Sequence, residues 1–220
     1  MTIVIIPAFN AETTLPELLD RVVTVVDKGS VLVVDDGSSD RTATIVEEMG
    51  IRLLRHRVNK GKGAALKSGF EYARTLPRCE AVITMDADLQ HLPEELPKFF
   101  TARLFSGANI VIGSRERIGT SMPFHRILSN VLTSWLVSAR VGKEIPDSQS
   151  GYRLIGREVL DAVTLASNGY EMETELLVKA ARKGFQMTFV PIRTVYGNAR
   201  SSMTHWYTTK QFLRIVLKDE

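Results

Sequence analysis

Apolar residues along this chain fall into short β-branched runs that alternate with stretches of helical spacing. Ile3 to Ile6 is such a run, stopped by Pro7, and reads as a strand buried on both faces. Thr14 and Glu17 form a capping box, and Leu15, Leu18, Leu19, Val22, Val23 and Val26 then recur at the helical period. The alternation continues. Val31 to Val34 is a second strand, ended by Asp35-Asp36-Gly37, and Asp40 opens a helix that turns Ile45, Val46 and Met49 inward. Ile51 to Leu54 is a third strand, followed by a helix from about Gly63 through Leu66, Phe70 and Ala73. Ala81 to Met85 is a fourth, after which Pro93 starts a helix with the stripe Leu96, Phe99, Phe100 and Leu104. Asn109 to Ile112 is a fifth, ended by Gly113.

Strand and helix in this rhythm predict an α/β fold: a doubly wound, mostly parallel sheet with helices on both faces. After Gly113 the rhythm breaks. An amphipathic stretch from Phe124 to Ala139, an irregular Pro146 to Gly151 segment, a helix near Glu173 to Lys183 and a strand at Met187 to Val190 read as an elaboration of the same domain. No linker-like stretch separates the two parts, and 220 residues suit one domain.

Composition narrows the class. Charged residues at 24% and ordinary Gly and Pro content exclude collagen-like and disordered chains. The one cysteine, Cys79, cannot pair internally, so nothing requires an oxidising compartment and the cytoplasm is favoured. No apolar run approaches the ~18 residues of a spanning helix, and the first ten residues lack a basic leader, so any membrane association is expected to be peripheral. A pI near 9.0 inclines the chain towards anionic partners.

The chemistry lies just after the strands. In a parallel sheet the carboxyl ends share one edge, where ligands bind, so this edge gathers Asp35, Asp36, Asp86 and Asp88 together with several cations. Any one of these aspartates has a structural alternative, Asp35 or Asp36 in an Asx turn and Asp40 as a helix cap. As a set they repel: two carboxylates 4 Å apart cost about 4 kcal/mol at an effective dielectric near 20, so the crevice asks for a cation. Asp86-x-Asp88 followed by Gln90 is an oxygen donor set suited to Mg²⁺ or Mn²⁺ shared with a diphosphate. The glycines fit neither well-known phosphate loop. Leu66 stands where a dinucleotide fingerprint after Gly61-x-Gly63 needs its third Gly, and no Walker pattern occurs. Phosphate capture by Lys60 to Gly63 stays open, with Arg55 and Arg57 read as a solvated basic face.

Seven segments in order carry a resemblance: Ile6-Pro7-Ala8-Phe9-Asn10, Val34 to Asp40, Asn59 to Ala65, Met85 to His91, Gly113-Ser114-Arg115, Asp147 to Arg153 and Tyr196 to Ser202. Together they resemble the family 2 glycosyltransferases of GT-A, Rossmann-like fold, most of all the polyprenyl-phosphate mannose and glucose synthases. The resemblance implies one domain over 1–220, with residues 1–115 binding the nucleotide sugar and 116–220 the acceptor. By it Pro7, Ala8, Phe9, Val34 and Asp36 line the nucleoside pocket, with Asp36 on the base or ribose and Lys60 nearby. Asp86, Ala87 and Asp88 flank the sugar diphosphate, and Asp86, Asp88 and Gln90 hold the metal. Arg115 and Arg200 meet the diphosphate or an acceptor phosphate, with Arg126, Ser129 and Arg153 on the acceptor. The usual Glu after Asn10 is Ala11 here, so Glu12 is expected to substitute, and Thr194 stands where some members carry a late Arg.

The implied reaction is an inverting hexose transfer from a nucleotide sugar of the GDP-mannose or UDP-glucose type to a polyprenyl phosphate. A phosphate with a second pKa near ~6 needs no general base; for a hydroxyl acceptor, Asp147 is the expected base. The stripe Phe124, Ile127, Leu128, Val131, Leu132, Trp135, Leu136 and Ala139 is the expected membrane-facing element, with core packing as its alternative. Two other functions stay open: a soluble family 2 transferase acting on a hydroxyl, and a catalytically silent nucleotide-binding subunit. No nucleic acid is implied.

Overall fold

A computed structural model describes residues 1–115 and 124–194, with side chains described for 1–115 and 130–194. Seven strands form one sheet: β1 (Thr2–Ala8), β2 (Val31–Asp35), β3 (Arg52–Arg55), β4 (Ala81–Thr84), β5 (Ile110–Arg115), β6 (Arg153–Gly156) and β7 (Met187–Ile192), in the order β3-β2-β1-β4-β6-β5-β7. The helices are α1 (Leu15–Val25), α2 (Thr42–Glu48), α3 (Lys62–Thr75), α4 (Leu96–Ser106), α5 (Phe124–Val141), α6 (Arg157–Ala162) and α7 (Glu171–Arg182).

The strand runs divide their side chains between two cores. Ile3, Ile5, Leu32, Val34 and Val82 pack on one face with Leu66 and Phe70 of α3 and Leu176 and Leu177 of α7. Val4, Ile6, Val31, Val33 and Ile83 pack on the other with Leu15, Leu18 and Leu19 of α1, Val46 of α2 and Phe99 of α4. This two-sided burial is why the runs are continuously apolar and not alternating.

β1 to β4 run parallel, and β6 enters between β4 and β5 antiparallel to both. β5 and β7, parallel to each other, therefore point the same way as β4. Six carboxyl ends thus meet at one rim, where β6 contributes its amino end and the loop before it. The Asp147 to Tyr152 segment reaches the site through this inserted strand, which the sequence pattern did not predict.

Four local expectations are corrected. Pro7 lies within β1, opposite Val34. Ile5 O accepts from Met85 N, whereas Ala8 O accepts from Asp36 N, so odd residues of β1 face β4. Pairing with β4 ends at Ile5, and the N–H that proline lacks falls beyond it. Thr14 makes no side-chain cap; its hydroxyl donates to Ala87 O at 2.6 Å and ties α1 to the Asp86-x-Asp88 turn. β5 runs through Gly113 to Arg115. Leu104 is 78% exposed and leaves the core stripe.

Candidate active site

At the end of β2 the two aspartates serve the loops beside them. Asp35 Oδ1 accepts from Ser38 N three residues on at 2.9 Å, one residue beyond an Asx turn, and Oδ2 pairs with Arg55 Nε at 3.0 Å. Asp36 is buried; Oδ1 accepts from His56 Nδ1 at 2.6 Å and Lys60 N at 3.0 Å, and Oδ2 from Gly61 N at 2.7 Å. Glu12, expected near the nucleoside, instead accepts from Arg41 N at 3.0 Å and organises the start of α2. Phe9 stands 49% exposed at the rim, Lys60 is exposed, and Pro7, Ala8 and Val34 line the β1–β2 floor. A cavity of about 300 Å³ opens beside the ends of β2 and β3, lined by Gly37, Ser38, Arg55, His56 and Arg57.

A second cluster forms at the end of β4. Lys62, in the first turn of α3, places Nζ 2.7 Å from Asp86 Oδ1 and 3.2 Å from Glu173 Oε2 on α7. Burial works against its charge, but the two carboxylates outweigh burial and hold the ammonium above the ordinary lysine range. Burial likewise pushes Asp86 up, and Lys62 and His91 more than reverse it, leaving the carboxyl below its usual value. His91 is buried against Tyr152, ring centroids 4.9 Å apart, and Nδ1 accepts from Asp86 N at 3.2 Å. Gly151 is what lets this cluster close. A Cβ there would lie 2.9 Å from Glu173 Oε1 and Lys62 Nζ and 3.1 Å from Asp86 Oδ2.

Asp88 sits at the rim, with Oδ1 accepting from Gln90 N at 3.0 Å and Oδ2 from Gln90 Nε2 at 2.7 Å. Desolvation by the crevice and the Asp86 charge push its carboxyl above the usual range. Leu89 between them has φ +61°, a left-handed conformation costing on the order of 1 kcal/mol for such a side chain, and it packs on the core beneath.

Among the described residues, no three His, Cys, Asp or Glu side chains group as a metal cluster. The donor set nevertheless suits a hard divalent ion. Lys62 compensates Asp86 and Glu173 together, one cation against two carboxylates, so Asp88 brings a further negative charge, with Gln90 alone donating to it among the described residues. Turning the Gln90 amide over would present its oxygen beside that carboxylate, completing an all-oxygen set.

The third cluster surrounds Arg115. Nε lies 2.7 Å from Asp147 Oδ2 and a terminal nitrogen 2.9 Å from Oδ1, a bidentate pair. Asp147 is 0% exposed and also accepts from Asn130 Nδ2 at 3.1 Å and Gln149 N at 3.2 Å. Burial raises its carboxyl, but the Arg115 bonds dominate and lower it. Arg153, expected at the acceptor, is 1% exposed and donates to the carbonyls of Ser150, Glu173 and Ser148, locking the loop before β6 to α7. Arg126 and Ser129 fall on α5, where their side chains lie outside the described residues, as does Arg200 entirely. The β4 and β5 clusters adjoin, since the Arg115 charge acts on Asp86.

His56 and Glu173 carried no sequence signal as site residues. Glu173 is 111 positions from its partner Lys62, and only the return of α7 to the rim brings them together.

The sheet order and helix placement define the GT-A class. The structure of glucosyl-3-phosphoglycerate synthase from Mycobacterium tuberculosis superposes with a TM-score of 0.79 at 22% identity, covering 100% of this chain and 81% of that one. Residues 3–164 match the profile of Glycosyl transferase family 2. Polyprenol monophosphomannose synthase of Mycolicibacterium smegmatis is 35% identical over 204 residues, covering 87% of this chain and 76% of that protein. Undecaprenyl-phosphate mannosyltransferase of Micrococcus luteus is 32% identical over 203 residues, covering 87% and 82%. The chain belongs to glycosyl transferase family 2 and is a glycosyltransferase.

Proposed function

We propose that this protein transfers a hexose from a nucleotide diphosphate sugar to a polyprenyl phosphate at a membrane surface, with inversion at the anomeric carbon. The relatives named for polyprenol- and undecaprenyl-phosphate mannosyl transfer support the acceptor class. The observation that carries the reading is the state of Asp147. Its carboxylate is enclosed and occupied by Arg115, Asn130 and Gln149, so it has no free lone pair at the surface to receive a proton. With Asp147 unavailable as a base, the site fits an acceptor that is already an anion.

On this reading Asp147 fixes the Arg115 guanidinium, which faces the diphosphate or the acceptor phosphate. Asp86, Asp88 and Gln90 would hold Mg²⁺ or Mn²⁺, which offsets the charge gathering on the departing nucleoside diphosphate. Lys62 keeps Asp86 ionised and in place. Residues 1–115 then form the donor half and the remainder the acceptor half, with Arg126, Ser129 and Arg200 completing the anion site.

The deciding experiment offers GDP- and UDP-sugars with either polyprenyl phosphate in vesicles or sugar hydroxyl acceptors. Transfer to the lipid phosphate, abolished by EDTA and restored by Mn²⁺ or Mg²⁺, is the expected result. Transfer only to a hydroxyl would overturn the reading, and nucleotide binding without any transfer would indicate a silent subunit.

Access to a lipid needs a surface. Val131, Leu132 and Trp135 on α5 are 43%, 55% and 63% exposed, whereas Val137 faces the core, so the outer face of this helix is apolar towards solvent. No helix among the described residues is long and apolar enough to cross a membrane. Contact through this face is therefore peripheral. Trp135→Glu is expected to reduce flotation with anionic vesicles about tenfold or more while the thermal midpoint stays within a few degrees. Unchanged flotation would remove α5 from the membrane contact.

A further inference from the structure

Beyond the residues assigned above, a buried chain of polar groups joins three elements of the donor half. His56 follows β3 and continues its pairing, its N–H donating to Asp35 O at 2.9 Å. Its ring is buried, with Nδ1 2.6 Å from Asp36 Oδ1 and Nε2 2.8 Å from Ser68 Oγ on α3. An ionised carboxylate only accepts, so Nδ1 carries the proton, and in the neutral ring Nε2 accepts from the Ser68 hydroxyl. The order Asp, His, Ser is not a nucleophilic triad here. Ser68 lies in the body of α3, where main-chain amides are consumed by helical bonds and none is left to stabilise an oxyanion.

The far side of the same carboxylate shows what the chain is for. Asp36 also accepts from Lys60 N and Gly61 N, and Gly61, at φ +95°, is the residue that turns the chain into α3. Lys62 follows at once and meets Asp86 and Glu173. Asp36 is 3% exposed and both of its oxygens accept hydrogen bonds from the loop and the His56 ring. We propose that His56 is a positioning residue: it orients the Asp36 carboxylate, which in turn sets residues 57–61 and delivers Lys62 to the diphosphate end of the site. This inference rests on the transferase reading for its ligand but not for its geometry.

Two isosteric substitutions separate the bonds. His56→Asn keeps an N–H where Nδ1 stood and loses the Ser68 contact; His56→Gln keeps the Ser68 end and loses the donor to Asp36. Both are compared with wild type by amide exchange at Lys60 and Gly61, by binding of GDP and UDP with Mn²⁺, and by KM and kcat for the nucleotide sugar. His56→Gln is expected to speed exchange at both amides about tenfold and to raise the donor Kd and KM by about the same factor, with kcat at saturation within about twofold. His56→Asn, which loses only the Ser68 contact, is expected to move all three readings by no more than about two- to threefold. Should His56→Gln fold poorly, Ser68→Ala, which frees the distal nitrogen only, is expected to move exchange and KM the same way by about two- to threefold.

The proposal is overturned if the Gln and Asn variants behave alike, or if exchange accelerates while donor affinity stays unchanged. Wild-type protein that binds neither nucleotide would overturn the transferase reading and the donor half of this proposal. The exchange contrast between the two variants would still decide whether His56 orders the loop.

Discussion

Replacing Asp88 with Asn is expected to lower turnover by about three orders of magnitude or more, with a thermal midpoint within a few degrees of wild type. The side chain sits at the rim and its described partners are the two N–H groups of Gln90; an Asn oxygen keeps the main-chain bond, and the Gln90 side-chain amide can turn over to accept from the new NH2. What the substitution removes is charge. With Asp86 already compensated by Lys62, Asp88 supplies the negative charge that would draw a divalent ion to the diphosphate. Steady-state rates over a metal titration, alongside a melting curve, check this. Retention of most of the activity at saturating metal would strip Asp88 of the role, whereas a collapse of the melting transition would show that it holds structure instead.

The largest stability effect is expected at Lys62. Lys62→Met removes the cation that bridges Asp86 and Glu173 and leaves two enclosed carboxylates beside the Gly151 backbone. Breaking such a cluster by deleting one partner costs about 3–5 kcal/mol, because the remaining charges keep their desolvation penalty without compensation. Chemical denaturation measures it. Combining Lys62→Met with Glu173→Gln is expected to recover a sizeable part of the loss, since one of the stranded charges is gone. A fully additive double variant would mean that Lys62 and Glu173 do not interact as their 3.2 Å separation indicates.

The alternation of strands and helices was readable because a strand between two helical layers must be apolar on both sides, and Ile3–Ile6, Val31–Val34 and Asn109–Ile112 carry that mark. β6 escaped notice for the opposite reason. Arg153 and Gly156 give it no apolar run, and what buries Arg153 is a set of carbonyls supplied by Ser148, Ser150 and Glu173. The same feature moved Arg153 from the expected acceptor site to the interior. A guanidinium can be buried only when its donors are all met, and a sequence does not display which carbonyls will meet them.

The aspartates show the division within the site itself. That Asp35, Asp36, Asp86 and Asp88 share one rim follows from their places after parallel strands, and chain order alone is enough to say so. Their separate duties do not follow from order: a bond to the Ser38 amide and a pair with Arg55 for Asp35, a loop anchor for Asp36, an ion pair for Asp86 and an open carboxylate for Asp88. Each duty depends on donors brought from elsewhere, from β3, from the first turn of α3 or from α7.

Local patterning therefore settled the α/β class and the common edge and singled out Asp86-x-Asp88-x-Gln90 as a candidate donor set, because each is encoded within a few adjacent residues. Tertiary structure alone decided that Lys62 meets Glu173, that Asp147 is sealed around Arg115 and that His56 bridges Asp36 to Ser68. Those contacts depend on through-space distance across elements far apart in the chain, and electrostatic and hydrogen-bond energies fall off with that distance and not with sequence separation.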